Sequence, residues 1–195
     1  MDAASQYALA YALTTTAGVR ALLPLAAFAV VIHLGFIHPP PGFEWLGRAH
    51  VMWPLIGVAV IELMADKVPV VDHLMHVLGV AVKPAAAAII VGGSVHAQSP
   101  QVLAGLMALG ALNALGVHAA VASVRGASTL TTAGIANPAI STVEDGGSIL
   151  ATVLAFFAPF IAAFLALCFA ATLFVLGRSA YRRVRARKVP STGSG

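Results

Sequence analysis

Charged side chains are scarce in this chain. Asp, Glu, Lys and Arg together make up 9% of its 195 residues, against about a quarter in a typical soluble domain. Hydrophobic residues make up 59%, and the mean hydropathy is +0.93. From residue 84 to residue 124 there is no charged residue at all, which is room for two spanning helices of about 20 residues each. The composition therefore excludes an ordinary soluble domain and is typical of a membrane protein.

The sequence also has little cysteine, and its N-terminal segment has no basic residues. Cys168 is the one cysteine of the sequence, which excludes an intrachain disulfide, and we expect it to be a small buried hydrophobe. Residues 1–6 lack the basic segment of a secretory signal peptide. We therefore expect the helices themselves to direct the chain into the membrane.

Positive charge is concentrated at the C-terminus. A basic run that follows a spanning helix marks the cytoplasmic side and can contact anionic lipid headgroups. Only Tyr181 accompanies the run, so nucleic-acid binding, which needs stacking aromatics beside basic residues, is not expected. The sequence thus predicts a single transmembrane domain over residues 1–177 and a basic cytoplasmic tail over residues 178–195. The basic residues of the run are Arg178, Arg182, Arg183, Arg185, Arg187 and Lys188.

The long apolar stretches predict an all-α, polytopic membrane protein of about five transmembrane helices. Two shorter pieces, residues 3–13 and 126–139, are predicted to be half-helices that lie at the surface or re-enter the membrane. The five predicted spans are residues 18–37, 49–65, 71–95, 102–124 and 149–176.

A short internal similarity links two of these regions. Residues 13–19 (LTTTAGV) resemble residues 130–135 (LTTAGI). Chance similarity in an Ala- and Thr-rich chain is one interpretation. An internal duplication, as in many transporters, is the other.

The predicted topology brings most of the remaining charges together. With the basic tail inside, five crossings place the N-terminus, the turn at residues 66–72 and the loop at residues 125–147 outside. Because an ionised group in hydrocarbon costs at least a few kcal/mol, we interpret the converging charges as candidate binding or relay residues near the extracytoplasmic face. They are Arg20, Glu62, Asp66, Lys67, Asp72, Arg125, Glu144 and Asp145.

Asp72, His73 and His76 are candidate metal ligands. Asp72 and His76 are spaced i,i+4, as are Glu62 and Asp66, so each pair shares one helix face. Such groups can bind a divalent cation or relay protons. The alternative is structural, because Asp72 and Asp66 can simply cap helix ends.

Glu62 and Lys83 are both predicted to lie below the headgroups, where an ion pair would lower the cost of each charge. That pair could gate a site, or it could only join helices. Snorkelling is the alternative for Lys83. Glu144 and Asp145 precede the last predicted span, where Arg125 and Arg20 could neutralise them.

Four stretches form a recognisable set: residues 61–72 (IELMADKVPVVD), 83–86 (KPAA), 17–25 (AGVRALLPL) and 137–145 (NPAISTVED). Together they resemble one bacterial membrane family, catalogued as domain of unknown function 4126. Lys83 stands where the family pattern leads us to expect Arg, and His76 where an acid is more usual. The resemblance implies a multi-pass protein of the bacterial cytoplasmic membrane and supplies no activity, substrate or cofactor.

The leading hypothesis is a small transporter or channel-like protein for a cation or a proton-coupled solute. Five acids against three cations in the converging set favour a cation, while Lys83 and Arg125 would act as counter-ions. One alternative is a non-catalytic scaffold or assembly factor, in which charges only lock helices. The other is a membrane-embedded, metal-assisted hydrolase acting on lipid. We expect no enzymatic activity and no cofactor.

Overall fold

The computed structural model describes residues 1–65, 69–132, 135 and 137–187, with side chains except at 65, 69–76, 137–138 and 180–187. Over these residues the chain is helical and contains no strand, as the sequence predicts. A 3-10 turn (Glu44–Gly47) precedes the third helix. The helices are α1 (Ala3–Val19), α2 (Leu22–His33), α3 (Ala49–Ala65), α4 (Pro69–Ser94), α5 (Pro100–Thr132), α6 (Asn137–Phe157) and α7 (Pro159–Arg187).

Prolines set where most of these helices begin. Pro69, Pro100 and Pro159 are the first residues of α4, α5 and α7, where the fixed φ of proline suits a helix and its missing N–H costs nothing. Pro24 is the third residue of α2, still within the first turn. A helix continuing from α1 would have lost a hydrogen bond at Pro24, so the chain breaks before it, at an extended Arg20 (φ −126°, ψ 109°).

Among the described residues, four helices are long and apolar enough to cross a membrane, and two shorter apolar helices accompany them. The predicted single crossing at residues 149–176 is wrong, because the helix breaks at Ala158, just before Pro159. The predicted crossing at residues 18–37 is wrong as well, since it joins the end of α1 to α2 across the break at Arg20. The four long segments are Val77–Ser94, Pro100–Thr132, Ala139–Phe157 and Pro159–Ser179; the shorter ones are Leu22–His33 and Ala49–Met64.

The start of α1 lies at the same end of the bundle as the ends of α2 and α4. The backbone N–H of His96 donates to Gln6 Oε1 at 3.1 Å. Met1, Phe36 and His38 border one cavity with Gln6 and His96. We name this the N-terminal end. Since α1 leaves it and α2 returns to it, α1 and α2 form a helical hairpin with Arg20 at its tip.

The C-terminal helix ends at the opposite end of the bundle. Leu173 of α7 packs with Val19 and Val121, and Gly177 lies beside Ser123 of α5. Therefore α7 runs alongside α5 in the same direction, toward the turn between α5 and α6. The predicted topology, which placed the basic tail and the charged loop at opposite faces, is wrong for this reason: the extra reversal at Ala158 brings them to one end.

The central helix is α1, and the apolar side chains of the outer helices face outward. Residues 12–19 of α1 are buried. Large apolar residues such as Leu109, Leu112 and Phe164 are about two-thirds exposed, which suits lipid and not water. Cys168 is exposed on α7, so the prediction that it is buried is wrong. These features indicate a membrane protein.

The two segments of the internal similarity occupy equivalent positions. Residues 13–19 end α1 and residues 130–132 end α5. Both helices run away from the N-terminal end, and each is followed by a helix that returns. Residues 133 and 134 of the second segment lie outside the described residues. The internal duplication stays a prediction.

Candidate functional site

A cavity of about 210 Å³ lies beside the tip of the α1–α2 hairpin. Lys83 on its wall is 11 residues from Ser94 at the N-terminal end, or about 17 Å along the helix. That distance places Lys83 near the middle of a hydrocarbon layer about 30 Å thick. The polar side chains of the lining are Arg20, Glu62, Lys83, His118, Arg125 and Glu144, and most of the rest of the lining is apolar.

Glu62 is buried and closes the start of α2. One carboxylate oxygen accepts the N–H of Ala21 and the other accepts the N–H of Leu22, each at 2.8 Å. Free N–H groups at a helix start need acceptors inside a membrane, and the positive end of the helix dipole favours a negative charge there. The predicted ion pair between Glu62 and Lys83 is wrong, because the carboxylate binds these two N–H groups and Lys83 Nζ contacts His118 instead.

The two arginines of the site pair with two acids of α6. Arg20 Nη2 lies 2.5 Å from Asp145 Oδ1 and donates to Ser141 Oγ at 3.1 Å. Arg125 Nε donates to Glu144 Oε1 at 3.1 Å, and a second bond joins Arg125 Nη2 to the other oxygen of that carboxylate. The prediction that Arg20 and Arg125 neutralise these acids is confirmed by the pairing.

Lys83 has a different kind of partner. Its Nζ lies 2.9 Å from Nδ1 of His118. An ammonium group only donates, so Nδ1 must accept, and His118 is then neutral with its proton on Nε2. Gly79, one turn before Lys83, leaves room for the two side chains, because a Cβ there would lie 3.3 Å from each of them. Within the described part of the chain, no carboxylate pairs with Lys83.

The structure thus gathers six of the predicted site residues: Glu62, Lys83, Arg20, Arg125 and Glu144 line the cavity, and Asp145 binds Arg20. Asp66 and Lys67 lie outside the described residues. Asp72, His73 and His76 belong to α4, but their side chains are not described, so the metal site stays a prediction. Among the described side chains, no group of three His, Cys, Asp or Glu could hold a metal ion.

Sequence reasoning missed His118 and Ser141. His118 could have been found, because it is a polar residue in a long uncharged stretch and lies seven positions before Arg125, on the same helix face. Nothing in the sequence distinguishes Ser141, whose role depends on where Arg20 lies.

One family model, described as "Domain of unknown function (DUF4126)", matches residues 7–179. The chain belongs to the DUF4126 family. The resemblance predicted from the sequence is thereby confirmed, and the matched region contains every described charged residue of the cavity. No curated protein and no solved structure matches this DUF4126 chain.

Proposed function

We propose that this DUF4126 protein is a small transporter or channel-like protein whose cavity accepts a solute with one negative charge. The observation that carries the proposal is Lys83, which lines the cavity and contacts neutral His118. Asp145 and Glu144 balance the two arginines, and Glu62 is set against the start of α2. The six charges sum to zero, but among the described cations of the site Lys83 is the one that contacts no carboxylate, so it is the group placed to meet an anion.

This ligand charge differs from the cation that the sequence favours. A cation at Glu144 or Asp145 would displace an arginine, and one at Glu62 would displace two backbone N–H groups. Each exchange would leave a buried group unpaired, at a cost of about 1–3 kcal/mol or more. Proton coupling remains part of the proposal, because Lys83 can turn from His118 toward an anion and leave Nδ1 open to a proton.

Transport is supported by the broken helices. The hairpin of α1 and α2 places a helix start, Glu62 and Arg20 in the interior of the bundle, and many secondary transporters bind substrates at such breaks. A membrane scaffold would have no need for a cavity at this point.

The orientation is also a proposal. Basic residues mark the cytoplasmic side, and Arg178 lies at the end of the bundle that the charged cavity faces. We therefore place that end in the cytoplasm of a bacterium, with the protein in its cytoplasmic membrane. The cavity then faces the cytoplasmic half of the bilayer and not the extracytoplasmic face.

The second candidate is a non-catalytic scaffold, which the Arg20–Asp145 and Arg125–Glu144 pairs favour. Both pairs join α6 to other parts of the bundle, as purely structural charges would. No contact of the described residues favours the third hypothesis, a metal-assisted hydrolase acting on lipid.

The test uses purified protein in phosphatidylcholine proteoliposomes on a solid-supported membrane. Jumps in sodium acetate, butyrate and hexanoate are compared with jumps in potassium and calcium chloride. We expect transient currents with the carboxylates and their loss in Lys83→Met. Arg48→Met is the matched control, because Arg48 is an exposed cation near the N-terminal end, outside the cavity.

Currents with the metal chlorides alone would restore the cation hypothesis. Carboxylate currents that persist in Lys83→Met would remove Lys83 from the site. The absence of any current, with Lys83→Met as stable as the parent, would favour the scaffold.

A further inference from the structure

The wall of the cavity includes a rim that reaches the surface of the bundle. Val58 of α3 and Leu78 and Val82 of α4 all line the cavity. Their side chains are nevertheless 45%, 48% and 37% exposed. Because exposed lining residues stand on both helices, the cavity reaches the surface between α3 and α4.

The surroundings of this rim are apolar. Val60 and Ile61 of α3 are exposed, as are Val77 and Val80 of α4. The rim residues of α4 belong to the Val77–Ser94 segment, which is long and apolar enough to cross a membrane. At this depth such a surface meets lipid chains and not water.

The cavity is therefore amphipathic along a line from the rim to its interior. The entrance is made by Val58, Leu78 and Val82, and the inner wall carries Lys83 and His118. Amphipathic molecules match this order, with a charged head inside and a hydrocarbon chain at the entrance.

We propose that the ligand is a monoanionic amphiphile, a carboxylate on an acyl chain, which enters sideways from the bilayer between α3 and α4. This inference rests on the proposed function and names its substrate class. The headgroup meets Lys83, while the chain stays against Leu78 and Val82.

Size and contacts both restrict the headgroup. The cavity of about 210 Å³ is small and open at the rim, so it suits a compact headgroup whose chain stays at the entrance. Among the described cations of the site, Lys83 is the one that contacts no carboxylate, and it is therefore the group that a carboxylate headgroup would meet.

The test is photolabelling in phosphatidylcholine nanodiscs that contain a trace of palmitic acid with a diazirine in its chain. We expect crosslinks on α3 near Val58 and on α4 near Leu78. Lys83→Met should lower the labelling about tenfold, as for a lost hydrogen bond between charged groups. Leu78→Trp should block the entrance and also lower it. Leu109→Trp is the matched control, since Leu109 is 63% exposed on α5 and does not line the cavity.

Competition by unlabelled compounds shows whether the bound anion comes from the bilayer or from water. Excess palmitate should suppress labelling, hexadecanol should not, and acetate should have little effect. If acetate competes as well as palmitate and Leu78→Trp does not change the labelling, the ligand is a water-soluble anion. That result would overturn lateral entry and leave the proposed function standing. If hexadecanol competes as well as palmitate and Lys83→Met is labelled like the parent, both lateral entry and the proposed function are overturned.

Val58→Trp provides a second block of the entrance should Leu78→Trp fail to fold, as judged by its gel-filtration profile. Crosslinks spread evenly over α5 and α7 would also overturn the inference, because they would report general contact with lipid.

Discussion

The first and the last helices of this protein differ in a way that hydropathy does not anticipate. Helix α1 has three consecutive threonines, Thr14–Thr16, and is not among the candidate spans or the shorter apolar helices, yet its residues 12–19 are all buried. Helix α7 is the most apolar of the four candidate spans, and only 11% of that segment is buried. The less apolar helix, α1, is therefore the one at the centre of the bundle.

The difference follows from the solvent. Lipid chains are as apolar as leucine, so burying leucine between helices gains little, and close packing with interhelical hydrogen bonds holds a bundle together. Helix α1 supplies both: Gly18 meets Val117 and the Ala114 carbonyl of α5, and Thr14 and Thr15 accept hydrogen bonds from Asn113. Hydropathy therefore measures contact with lipid, and not position in the core.

The largest expected effect concerns the side of the membrane at which each helix ends. Helix α1 starts at the N-terminal end, and α7 ends at the other. In a Cys168→Ala background, we expect Ile135→Cys and Ser179→Cys to react with a membrane-impermeant maleimide from one side only, and Gln98→Cys from the opposite side only. The assay compares sealed right-side-out and inside-out vesicles. Labelling of Ile135→Cys and Ser179→Cys from opposite sides would restore a single crossing at residues 149–176.

The next effect concerns charge at the two helices. Arg20 is 3% exposed and pairs with Asp145, so Arg20→Gln leaves a carboxylate without its counter-ion. We expect a loss of about 3–5 kcal/mol in the free energy of unfolding. The control is Arg178→Gln on the exposed end of α7, where a change within about 0.5 kcal/mol is expected. Unfolding by SDS in mixed micelles measures both, and equal losses would contradict the central position of α1.

Much of the fold could be predicted, because long apolar runs and prolines are local signals. The sequence predicts helices throughout and identifies α3 and α4 nearly as they occur. Helix α5 continues to Thr132, eight residues past the predicted end and into the segment predicted as a separate half-helix. It does not predict the breaks at Arg20 and Ala158 as reversals, since a proline that begins a new helix and a proline that kinks one look alike in a sequence. One missed reversal was enough to predict the charged residues and the basic tail at opposite ends.

The sequence predicts which charged residues belong to the site, but it does not predict which groups they contact. Rare charges in an apolar chain identify Arg20, Glu62, Lys83 and Arg125 as unusual. Their partners depend on backbone geometry, because Glu62 binds two N–H groups that exist only where α2 begins. Ser141 escaped for the same reason, since its contact with Arg20 joins α6 to the break after α1.

Close packing gives the third prediction. A Cβ on Gly18 would lie 2.5 Å from Val117 Cβ and 2.7 Å from the Ala114 carbonyl oxygen, so Gly18→Ala must push α1 and α5 apart. We expect a loss of about 1–3 kcal/mol in the free energy of unfolding. Gly177→Ala on α7 is the control, because the nearest atom to its added Cβ is 3.9 Å away and alanine is the better helix former. A Gly18→Ala protein as stable as Gly177→Ala would mean that the two helices separate at no cost.

The smallest effect separates interhelical hydrogen bonds from bonds within one helix. Asn113 Nδ2 lies 3.0 Å from Thr14 Oγ1 and 2.9 Å from Thr15 Oγ1. Asn113→Leu keeps a similar shape and removes both bonds. Since such bonds in membrane proteins are worth about 0.6 kcal/mol on average, we expect a loss of about 1 kcal/mol. Thr172→Val on α7 is the control: its hydroxyl donates only to the Cys168 carbonyl in the same helix, so its loss leaves the packing of the bundle unchanged. A loss at Thr172 equal to that at Asn113 would show that these polar groups stabilise single helices. The threonines of α1 would then stabilise it without Asn113. The test is to add Thr14→Val and Thr15→Val to the Asn113→Leu protein, where a further loss of stability is expected in that case.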